Sequence, residues 1–332
     1  MINSIQIKNY RGIKDMRIDN FKKYNIFTGD NGSCKTTILE ALVISNTDVV
    51  SLIQIARERD FRLNHNNMSS FFYNTKVTDN ISILVNNRYE TEINLEQDDE
   101  KIFYDEYSDS EEKFLYRYVQ KDNGEVVERV EVLKKNDGYS SKGKKYKDTF
   151  QKKNTIFITP KKVVGITLAN SIKELIEKKR KNEILELLNK FDSNIDDVIS
   201  DGKEIKVSLK EAKEFIPISS LGNGIVAILE IIISTLDDLD KIYIDEIETG
   251  IHYLNYPKLC KILIDILQEK NIQLFITTHS KEFIEAFCYA LREKNEDMSL
   301  YRFEKIRGNQ LKQKYYSRED VLETIHEGWD VR

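Results

Sequence analysis

The sequence is poor in the residues that crosslink a chain or interrupt its helices. Its 332 residues include only 3 cysteines and 3 prolines. Cys34, Cys260 and Cys288 lie far apart and form no CxxC pair, so the sequence indicates neither a disulfide framework nor a zinc site. We expect the three cysteines to be reduced thiols.

Signals for secretion or membrane insertion are missing as well. No run of about eighteen apolar residues occurs, and Met1 leads into a polar alternating segment rather than a signal peptide. Neither sign of charge predominates, because a charged fraction of 32% leaves a formal net charge of -5. We therefore expect a cytoplasmic protein with no membrane partner, in which any polyanion-binding site is local.

The chain does contain two kinds of apolar periodicity. Alternation over residues 2–7 and the run Tyr24–Thr28 predict strands, whereas the apolar spacing over residues 38–43 predicts a helix. Residues 78–133 carry short alternating runs around an Asn123–Gly124 turn, which predicts antiparallel strands. The glycine-containing loop near residue 30 thus lies between a strand and a helix.

Charged segments and a helical stretch complete the middle of the chain. Residues 98–112 are acidic and residues 134–153 are basic, so we expect exposed loops at both. The apolar spacing over residues 175–188 predicts a charged amphipathic helical region. From Ile216 onward helices and strands alternate, which predicts a mainly parallel sheet with its site beyond the carboxyl ends of the strands. The predicted elements are helix 225–236, strand 241–244, helix 259–267, strand 273–277 and helix 283–291.

The segment Gly29–Thr37 is close to a phosphate-binding loop. It reads G-D-N-G-S-C-K-T-T, against the pattern G-x-x-x-x-G-K-[ST]. Backbone N–H groups of such a loop wrap the phosphates, while Lys35 would reach the β- and γ-phosphates and the Thr36 hydroxyl would ligate Mg²⁺. The predicted nucleotide-binding residues are Gly29, Asp30, Asn31, Gly32, Ser33, Cys34, Lys35, Thr36 and Thr37.

One position of this loop departs from the pattern, because Cys34 replaces the glycine expected before the lysine. A positive φ at this position would cost a residue with a β-carbon about 1–2 kcal/mol, whereas an ordinary helical conformation would cost little. The sequence leaves both conformations open. A glycine turn that merely starts a helix is the remaining alternative to a phosphate site.

Acidic residues follow the buried strand predicted at 241–244. Asp245 would hold Mg²⁺ through its water shell, and Glu246 would orient and polarise the water that attacks the γ-phosphate. His279 follows the strand 273–277 and would donate a hydrogen bond to the γ-phosphate. Each of these residues alone could be an ordinary loop or packing residue, but their agreement with the phosphate loop favours a catalytic interpretation.

A second segment of serine and glycine precedes the helix predicted at 225–236. Ser219–Gly224 reads S-S-L-G-N-G. Its free N–H groups, its serine hydroxyls and the positive end of the helix could bind an anion. The same composition also suits the N-terminal cap of a core helix.

Together these segments resemble the ABC-type ATPase heads of the RecF, SMC and OLD group, and most closely the stand-alone AAA family ATPases of bacterial and archaeal defence loci. Residues 5–13, I-Q-I-K-N-Y-R-G-I, are similar to the group's N-terminal strand and turn. Residues 245–252, D-E-I-E-T-G-I-H, resemble one of its distal segments, and T-H-S at 278–280 with F-I-E-A-F at 283–287 resembles another. The middle of the chain is weakly covered.

The resemblance implies an α/β fold, namely an ABC-type P-loop ATPase head with a mainly parallel sheet, an antiparallel β subdomain and a helical insertion. Residues 1–60 and 205–332 would form the head, and residues 61–204 an inserted region partly integral to it. The implied ligands are ATP and Mg²⁺.

The resemblance further implies a homodimer in which two heads sandwich two ATP molecules. Ser220, Gly222 and Gly224 would form a degenerate signature motif that contacts the γ-phosphate bound by the other subunit. Arg11 would lie near the nucleotide, and His252 would lie at the dimer seam.

Three functions fit this resemblance. The first is an ATPase switch whose dimerisation controls a DNA, RNA or protein effector in anti-phage defence, with any nuclease or toxin supplied by a separate protein. The second is the ATPase subunit of a membrane transporter, which the degenerate signature and the lack of a recognisable Q-loop at Gln54 or Gln97 disfavour. The third is a non-hydrolysing scaffold, which rests on Cys34 alone. A basic run is either a partner surface or a solvated loop; its lysines are Lys142, Lys144, Lys145 and Lys147.

Overall fold

The structure is a computed structural model of the chain, and it describes residues 1–46, 51–59, 68–95, 113–135, 138–146, 154–160, 166–212, 214–221, 223–236, 238–306 and 311–328. Two compact units divide the chain. The first comprises Met1–Lys22, Gly29–Thr155 and Phe303–Lys314. The second comprises Lys23–Thr28, Ile156–Arg302 and Tyr315–Arg332.

The described residues form strands and helices from end to end. The strands are β1 (Ser4–Tyr10), β2 (Ile13–Asp19), β3 (Tyr24–Gly29), β4 (Ile81–Val85), β5 (Tyr89–Asn94), β6 (Lys113–Asp122), β7 (Glu125–Lys135), β8 (Gly138–Lys145), β9 (Thr155–Ile158), β10 (Ile195–Ser200), β11 (Ile205–Leu209), β12 (Ile216–Pro217), β13 (Lys241–Ile244), β14 (Gln273–Thr277), β15 (Met298–Lys305) and β16 (Leu311–Ser317). The helices are α1 (Lys35–Asn46), α2 (Ser51–Glu58), α3 (Ile166–Glu177), α4 (Lys181–Phe191), α5 (Asn223–Leu236), α6 (Tyr256–Glu269), α7 (Lys281–Glu293) and α8 (Arg318–His326).

An antiparallel sheet forms most of the first unit, with the strand order β2-β1-β4-β5-β6-β7-β8. Side chains of a strand alternate between its two faces, and Ile5 and Ile7 of β1 share the buried face. On β6 the Tyr118 hydroxyl donates to the Ile44 carbonyl oxygen of α1 at 3.4 Å. The apolar face of this sheet therefore packs against α1, the helix that follows the predicted phosphate loop.

A second sheet has the strand order β16-β15-β3-β14-β13-β9. Strands β3, β14 and β13 are parallel neighbours, with Phe27 paired to Thr277 and Ile276 paired to Ile244. Every residue of these three strands is buried, as expected for parallel strands that are covered on both faces. The register therefore brings the carboxyl ends of β14 and β13 side by side, next to the end of β3.

Helices cover the second unit around one hydrophobic core. α5 contributes Ile228 and Leu229, and α7 contributes Phe283 and Phe287, all of them buried. The small sheet β10-β11-β12 belongs to the same unit. This packing fixes the strand ends on which the candidate catalytic residues lie.

Most predicted elements are confirmed. The strands predicted at 241–244 and 273–277 are β13 and β14, and the predicted antiparallel pair around Asn123–Gly124 is β6 and β7. The expected loop at 134–153 is wrong for Gly138–Lys145, because this polar stretch pairs with β7 as an edge strand. The acidic segment 98–112 lies outside the described residues, and the division into a head and an inserted region 61–204 stays a prediction. No described helix has the length and apolar character needed to cross a membrane.

Candidate functional site

The predicted phosphate loop follows β3 without a break and leads directly into α1. Gly29 ends the strand with φ of 130°, and a β-carbon there would lie 2.1 Å from the carbonyl oxygen of Phe303. Gly32 also has a positive φ, of 77°, but a β-carbon there would meet nothing within 4 Å. Glycine is therefore required at 29 by both backbone conformation and space, and at 32 by conformation alone.

Lys35 begins α1 and turns its side chain back over the loop. Its buried ammonium group donates hydrogen bonds to the carbonyl oxygens of Gly29 at 2.8 Å and Asp30 at 2.9 Å, and to the Ser33 hydroxyl at 3.5 Å. A positive charge and a helix N-terminus thus coincide, which is the arrangement that favours phosphate. Of the other predicted loop residues, Asp30, Asn31 and Gly32 are exposed, Thr36 is half-buried, and Ser33 and Thr37 are buried.

Cys34 takes the left-handed conformation of the two that the sequence left open, with φ of 66°. Its Sγ packs over Gly12, where a β-carbon would lie only 2.7 Å from the sulfur. Burial raises the pKa of the Cys34 thiol, although Lys305, Arg11 and Lys35 act in the opposite direction. The thiol is consequently a packing group of the loop and is not activated as a nucleophile.

Arg11 lies on the turn between β1 and β2 and forms an ion pair with α1. Its guanidinium is 3.4 Å from the buried Glu40 carboxylate, which also accepts hydrogen bonds from Arg59 at 2.6 Å and the Tyr10 hydroxyl at 3.2 Å. Burial raises the pKa of Glu40, and the two guanidinium groups only partly offset this. Sequence reasoning missed Glu40, although a lone carboxylate on the apolar face of a predicted helix was the available signal.

The acidic end of β13 is tied to the end of β14 through Thr277. The Thr277 hydroxyl donates to Asp245 Oδ1 at 2.6 Å and accepts the backbone N–H of Glu246 at 2.8 Å. Asp245 is buried, whereas Glu246 is half-buried and its carboxylate accepts a hydrogen bond from the Thr249 hydroxyl at 3.3 Å. The predicted metal ligand and the predicted base are therefore neighbours with different environments.

His279 lies at the same edge, half-buried, just after β14. Its backbone N–H donates to Glu248 Oε1 at 2.5 Å. The second oxygen of Glu248, Oε2, is buried and has no hydrogen-bond partner among the described residues. The sequence assigned no role to Glu248, which lies within the segment 245–252, or to Thr277, whose signal was a polar residue at the end of a predicted strand.

The predicted signature segment starts α5. Ser220 is exposed at the end of a 3-10 turn, and a β-carbon on Gly224 would lie 3.0 Å from the Gly250 carbonyl oxygen. The start of α5 thus adjoins the loop that carries Glu246. His252 is exposed and its ring lies 4.6 Å from that of the exposed Tyr253. Gly222, Gln97 and Lys147 lie outside the described residues.

The described residues contain no group of three or more His, Cys, Asp or Glu side chains arranged to hold a metal ion. The hydroxyl of Thr36 and the carboxylate of Asp245 are hard oxygen donors, however. Each is of the donor type that Mg²⁺ prefers, and this ion is usually bound through one or two protein oxygens together with phosphates and water.

Comparison with known proteins places these features in a family. A relative from Helicobacter pylori named "ATP/GTP phosphatase" is 29% identical over 334 residues, covering 89% of this chain and 90% of its own length. The SMC head bound to the C-winged helix domain of ScpA has a TM-score of 0.55 and 13% identity, covering 96% of this chain and 98% of its own. The SMC head with an extended coiled coil bound to the C-terminal domain of ScpA, from Pyrococcus furiosus, has a TM-score of 0.55 and 11% identity, with 98% of each chain covered.

The structural likenesses confirm the expected fold class, because both solved heads span nearly the whole chain. Residues 24–285 match the family described as "AAA domain, putative AbiEii toxin, Type IV TA system". The matched region runs from the start of β3 to the middle of α7, and so includes the phosphate loop, the acidic end of β13 and His279. The chain therefore belongs to this AAA domain family and has an SMC-head-like fold.

Proposed function

We propose that this protein binds and hydrolyses ATP with Mg²⁺, and that ATP-driven dimerisation switches a separate effector. The conformation of the phosphate loop carries the proposal. A buried lysine is drawn over the loop carbonyls at a helix start, and glycine occupies two of the three loop positions with a positive φ, Gly29 and Gly32. A glycine turn that only starts a helix has no need for a buried ammonium group.

Phosphate binding falls to Gly29–Thr37. The N–H groups at the start of α1 and the Lys35 ammonium bind the β- and γ-phosphates, for which the ammonium exchanges its present carbonyl partners. The Thr36 hydroxyl and the Asp245 carboxylate would hold Mg²⁺, and the ion would supply positive charge to the phosphates. Arg11, held by Glu40, lies close enough to Cys34 to influence its thiol and adds positive charge beside the loop.

Hydrolysis falls to Glu246 and His279. The Glu246 carboxylate orients the attacking water and accepts its proton, which is the role of a general base. His279 donates a hydrogen bond to the γ-phosphate as negative charge shifts during the transfer. Because Asp245 is buried and Glu246 is half-buried, the two carboxylates are suited to separate roles, one toward the metal and one toward water.

Dimerisation follows from the signature segment. Ser220, Gly222 and Gly224 contact the γ-phosphate bound by the second subunit, and His252 lies at the seam. The exposure of Ser220 and His252 supports this proposal. The dimer then acts on a nucleic acid or on a nuclease or toxin protein, and the family description as a toxin of a type IV toxin–antitoxin system supports a role in defence.

The deciding variant is Glu246→Gln. It is expected to bind Mg·ATP yet lose about 10²-fold or more in turnover, since removal of a general base typically costs that much. Bound ATP then persists, and the variant accumulates as a dimer. Size-exclusion chromatography with light scattering, with and without Mg·ATP, measures this directly.

Two controls separate binding from assembly. Lys35→Ala removes the buried cation of the loop and is expected to abolish ATP binding in calorimetry. Ser220→Arg added to Glu246→Gln is expected to prevent the dimer, whereas Ser141→Arg, at another exposed serine, leaves it intact. A Glu246→Gln protein that stays monomeric while saturated with ATP contradicts the shared site.

A further inference from the structure

Thr277 is the last residue of β14 and is fully buried. Its hydroxyl group contacts two functional groups of the neighbouring strand end at once. It donates its proton to Asp245 Oδ1 at 2.6 Å and accepts the Glu246 N–H at 2.8 Å. A hydroxyl group has one proton and can also accept, so these two bonds use it in both senses.

Glu246 needs such a contact because of its backbone conformation. Its φ is 48°, in the left-handed region, which costs a residue with a β-carbon about 1–2 kcal/mol. Conformations of this kind persist where the surroundings over-determine them. Thr277 supplies bonds on both sides of Glu246, because its carbonyl oxygen also accepts the Ile247 N–H at 3.2 Å.

The hydrogen bonds of Thr277 fix the orientation of the Asp245 carboxylate and the direction of the Glu246 main chain together. The bond to Oδ1 sets the orientation of the Asp245 carboxylate, and the bond from the Glu246 N–H sets the main chain from which the Glu246 side chain leaves. The bond to Asp245 is buried and the bond from the Glu246 N–H is partly buried, so loss of the hydroxyl would remove a partner from each group, at a cost of about 1–3 kcal/mol.

We infer that Thr277 is a positioning residue for the proposed hydrolysis, a role that rests on the proposed function. One hydroxyl group couples the orientation of the metal-binding carboxylate to that of the base. Asp245 and Glu246 are adjacent in the chain, but the left-handed backbone of Glu246 directs the two side chains differently. Thr277 on the neighbouring strand is hydrogen-bonded to both residues and fixes their relative orientation.

A pair of substitutions separates this role from simple packing. Thr277→Val keeps the shape of the side chain and removes the hydroxyl, whereas Thr277→Ser keeps the hydroxyl and removes a methyl group. Thr235→Val is the matched control, because Thr235 is equally buried in the same unit and its hydroxyl donates to the Ile232 carbonyl oxygen, within its own helix.

The first readout is amide hydrogen exchange of a peptide covering residues 244–249, measured without nucleotide. Thr277→Val is expected to exchange faster there than wild type, while Thr277→Ser and Thr235→Val retain the protection. The second readout is nucleotide affinity as a function of Mg²⁺ concentration. Thr277→Val is expected to need about 10–100-fold more Mg²⁺ and to lose turnover to a similar extent, the usual effect of removing the partner of a metal ligand.

The outcomes distinguish failure of the proposed function from failure of the positioning role of Thr277. If wild type shows neither ATP binding nor turnover, the proposed function fails. If wild type hydrolyses ATP but Thr277→Val matches Thr235→Val in exchange and in Mg²⁺ dependence, the positioning role is wrong. If Thr277→Ser loses as much as Thr277→Val, the methyl packing and not the hydroxyl is what matters, and the inference is overturned.

Discussion

The contact between Gly12 and Cys34 gives a quantitative test of the loop geometry. Gly12 has no positive φ, so alanine is allowed there by the backbone. The obstacle is the Cys34 sulfur, which would lie 2.7 Å from the new β-carbon. Gly12→Ala is therefore expected to destabilise the protein only while Cys34 keeps its side chain.

The distance between the new β-carbon and the Cys34 sulfur sets the expected loss of stability. Carbon atoms in favourable contact lie about 3.5–4.0 Å apart, so the clash is short by about 1 Å. Overpacking of this kind costs about 1–3 kcal/mol, and the short cysteine side chain can turn aside, so we expect about 1–2 kcal/mol. In a Cys34→Ala background the cost disappears. The coupling free energy of the pair is then about 1–2 kcal/mol, within the range for residues in contact.

A third substitution separates the clash from backbone strain. Cys34→Ala keeps the β-carbon at φ of 66°, whereas Cys34→Gly removes it. Relief of the left-handed conformation gains about 1–2 kcal/mol, but the greater freedom of glycine in the unfolded chain offsets about 0.4–1 kcal/mol of that gain. Cys34→Gly is therefore expected to be more stable than Cys34→Ala and to retain or increase ATPase activity.

Urea unfolding followed by circular dichroism measures the four corners of the cycle, namely wild type, Gly12→Ala, Cys34→Ala and the double variant. ATP affinity of each protein reports whether the loop keeps its shape. Additive changes in the free energy of unfolding would refute the contact. A Cys34→Gly protein that loses most of its ATPase activity would instead assign the thiol a special role.

Three further predictions follow from the first unit and the thiols. Gly29→Ala is expected to lower the free energy of unfolding in urea by at least about 2 kcal/mol, because the new β-carbon would lie 2.1 Å from a fixed carbonyl oxygen and the positive φ adds its own cost. Gly32→Ala has only the cost of the positive φ, about 1–2 kcal/mol. Equal costs for the two variants would contradict the crowding at Gly29. Because the pKa of Glu40 is raised in the folded protein, protonated Glu40 stabilises the fold below the ordinary glutamate range, and this stability is lost as the pH rises through the raised value. The free energy of unfolding of wild type should therefore fall in that pH window relative to that of Glu40→Gln. Parallel pH curves for the two proteins would contradict this prediction. Iodoacetamide should modify Cys34 in the folded protein, more slowly than in urea, and spare the buried Cys260 and Cys288; ready labelling of either buried thiol would show that the core opens.

The sequence predicted best where a strand is buried on both faces. β13 and β14 have the bounds that the sequence predicts, because residues 242–244 and 274–276 are continuous apolar runs, as expected for parallel strands that are covered on both faces, and polar residues occur only at the ends of the two strands. The antiparallel pair around Asn123–Gly124 was readable for a different reason. An Asn-Gly pair accepts the positive φ values of a tight turn, here 50° and 82°.

Edge and peripheral strands were missed. β8 reads G-Y-S-S-K-G-K-K, and its pairing with β7 uses backbone groups that leave no apolar trace. β15 and β16 were not anticipated either, although β15 is largely buried. Polar and charged residues interrupt the apolar residues of β15, which reads M-S-L-Y-R-F-E-K, so its sequence gives only a weak strand signal.

The residues of the candidate site likewise fall into those that the sequence predicted and those that it did not. Residues with a motif, such as Lys35 and Glu246, were found from their spacing, and their roles stay predictions. Residues that act through another group, such as Thr277 and Glu40, were not found, because a hydrogen bond between distant chain segments is invisible until the register is known. The conformation of Cys34 also depended on tertiary structure.

The pairing of β3 with β14 has a consequence for synthesis of the protein. Tyr24 pairs with Leu274, and the Asn25 side chain donates to the Leu274 carbonyl oxygen, so the partner of an early strand is made late. At about 5–20 residues per second, a ribosome needs on the order of ten to fifty seconds to supply it. Throughout that interval both edges of β3 lack their partners, because β15 is made after β14, and an unpaired strand edge is the kind of segment that recruits other chains. We therefore expect nascent chains that stop before β14 to depend on chaperones and to aggregate when released, whereas chains that extend past β15 do not.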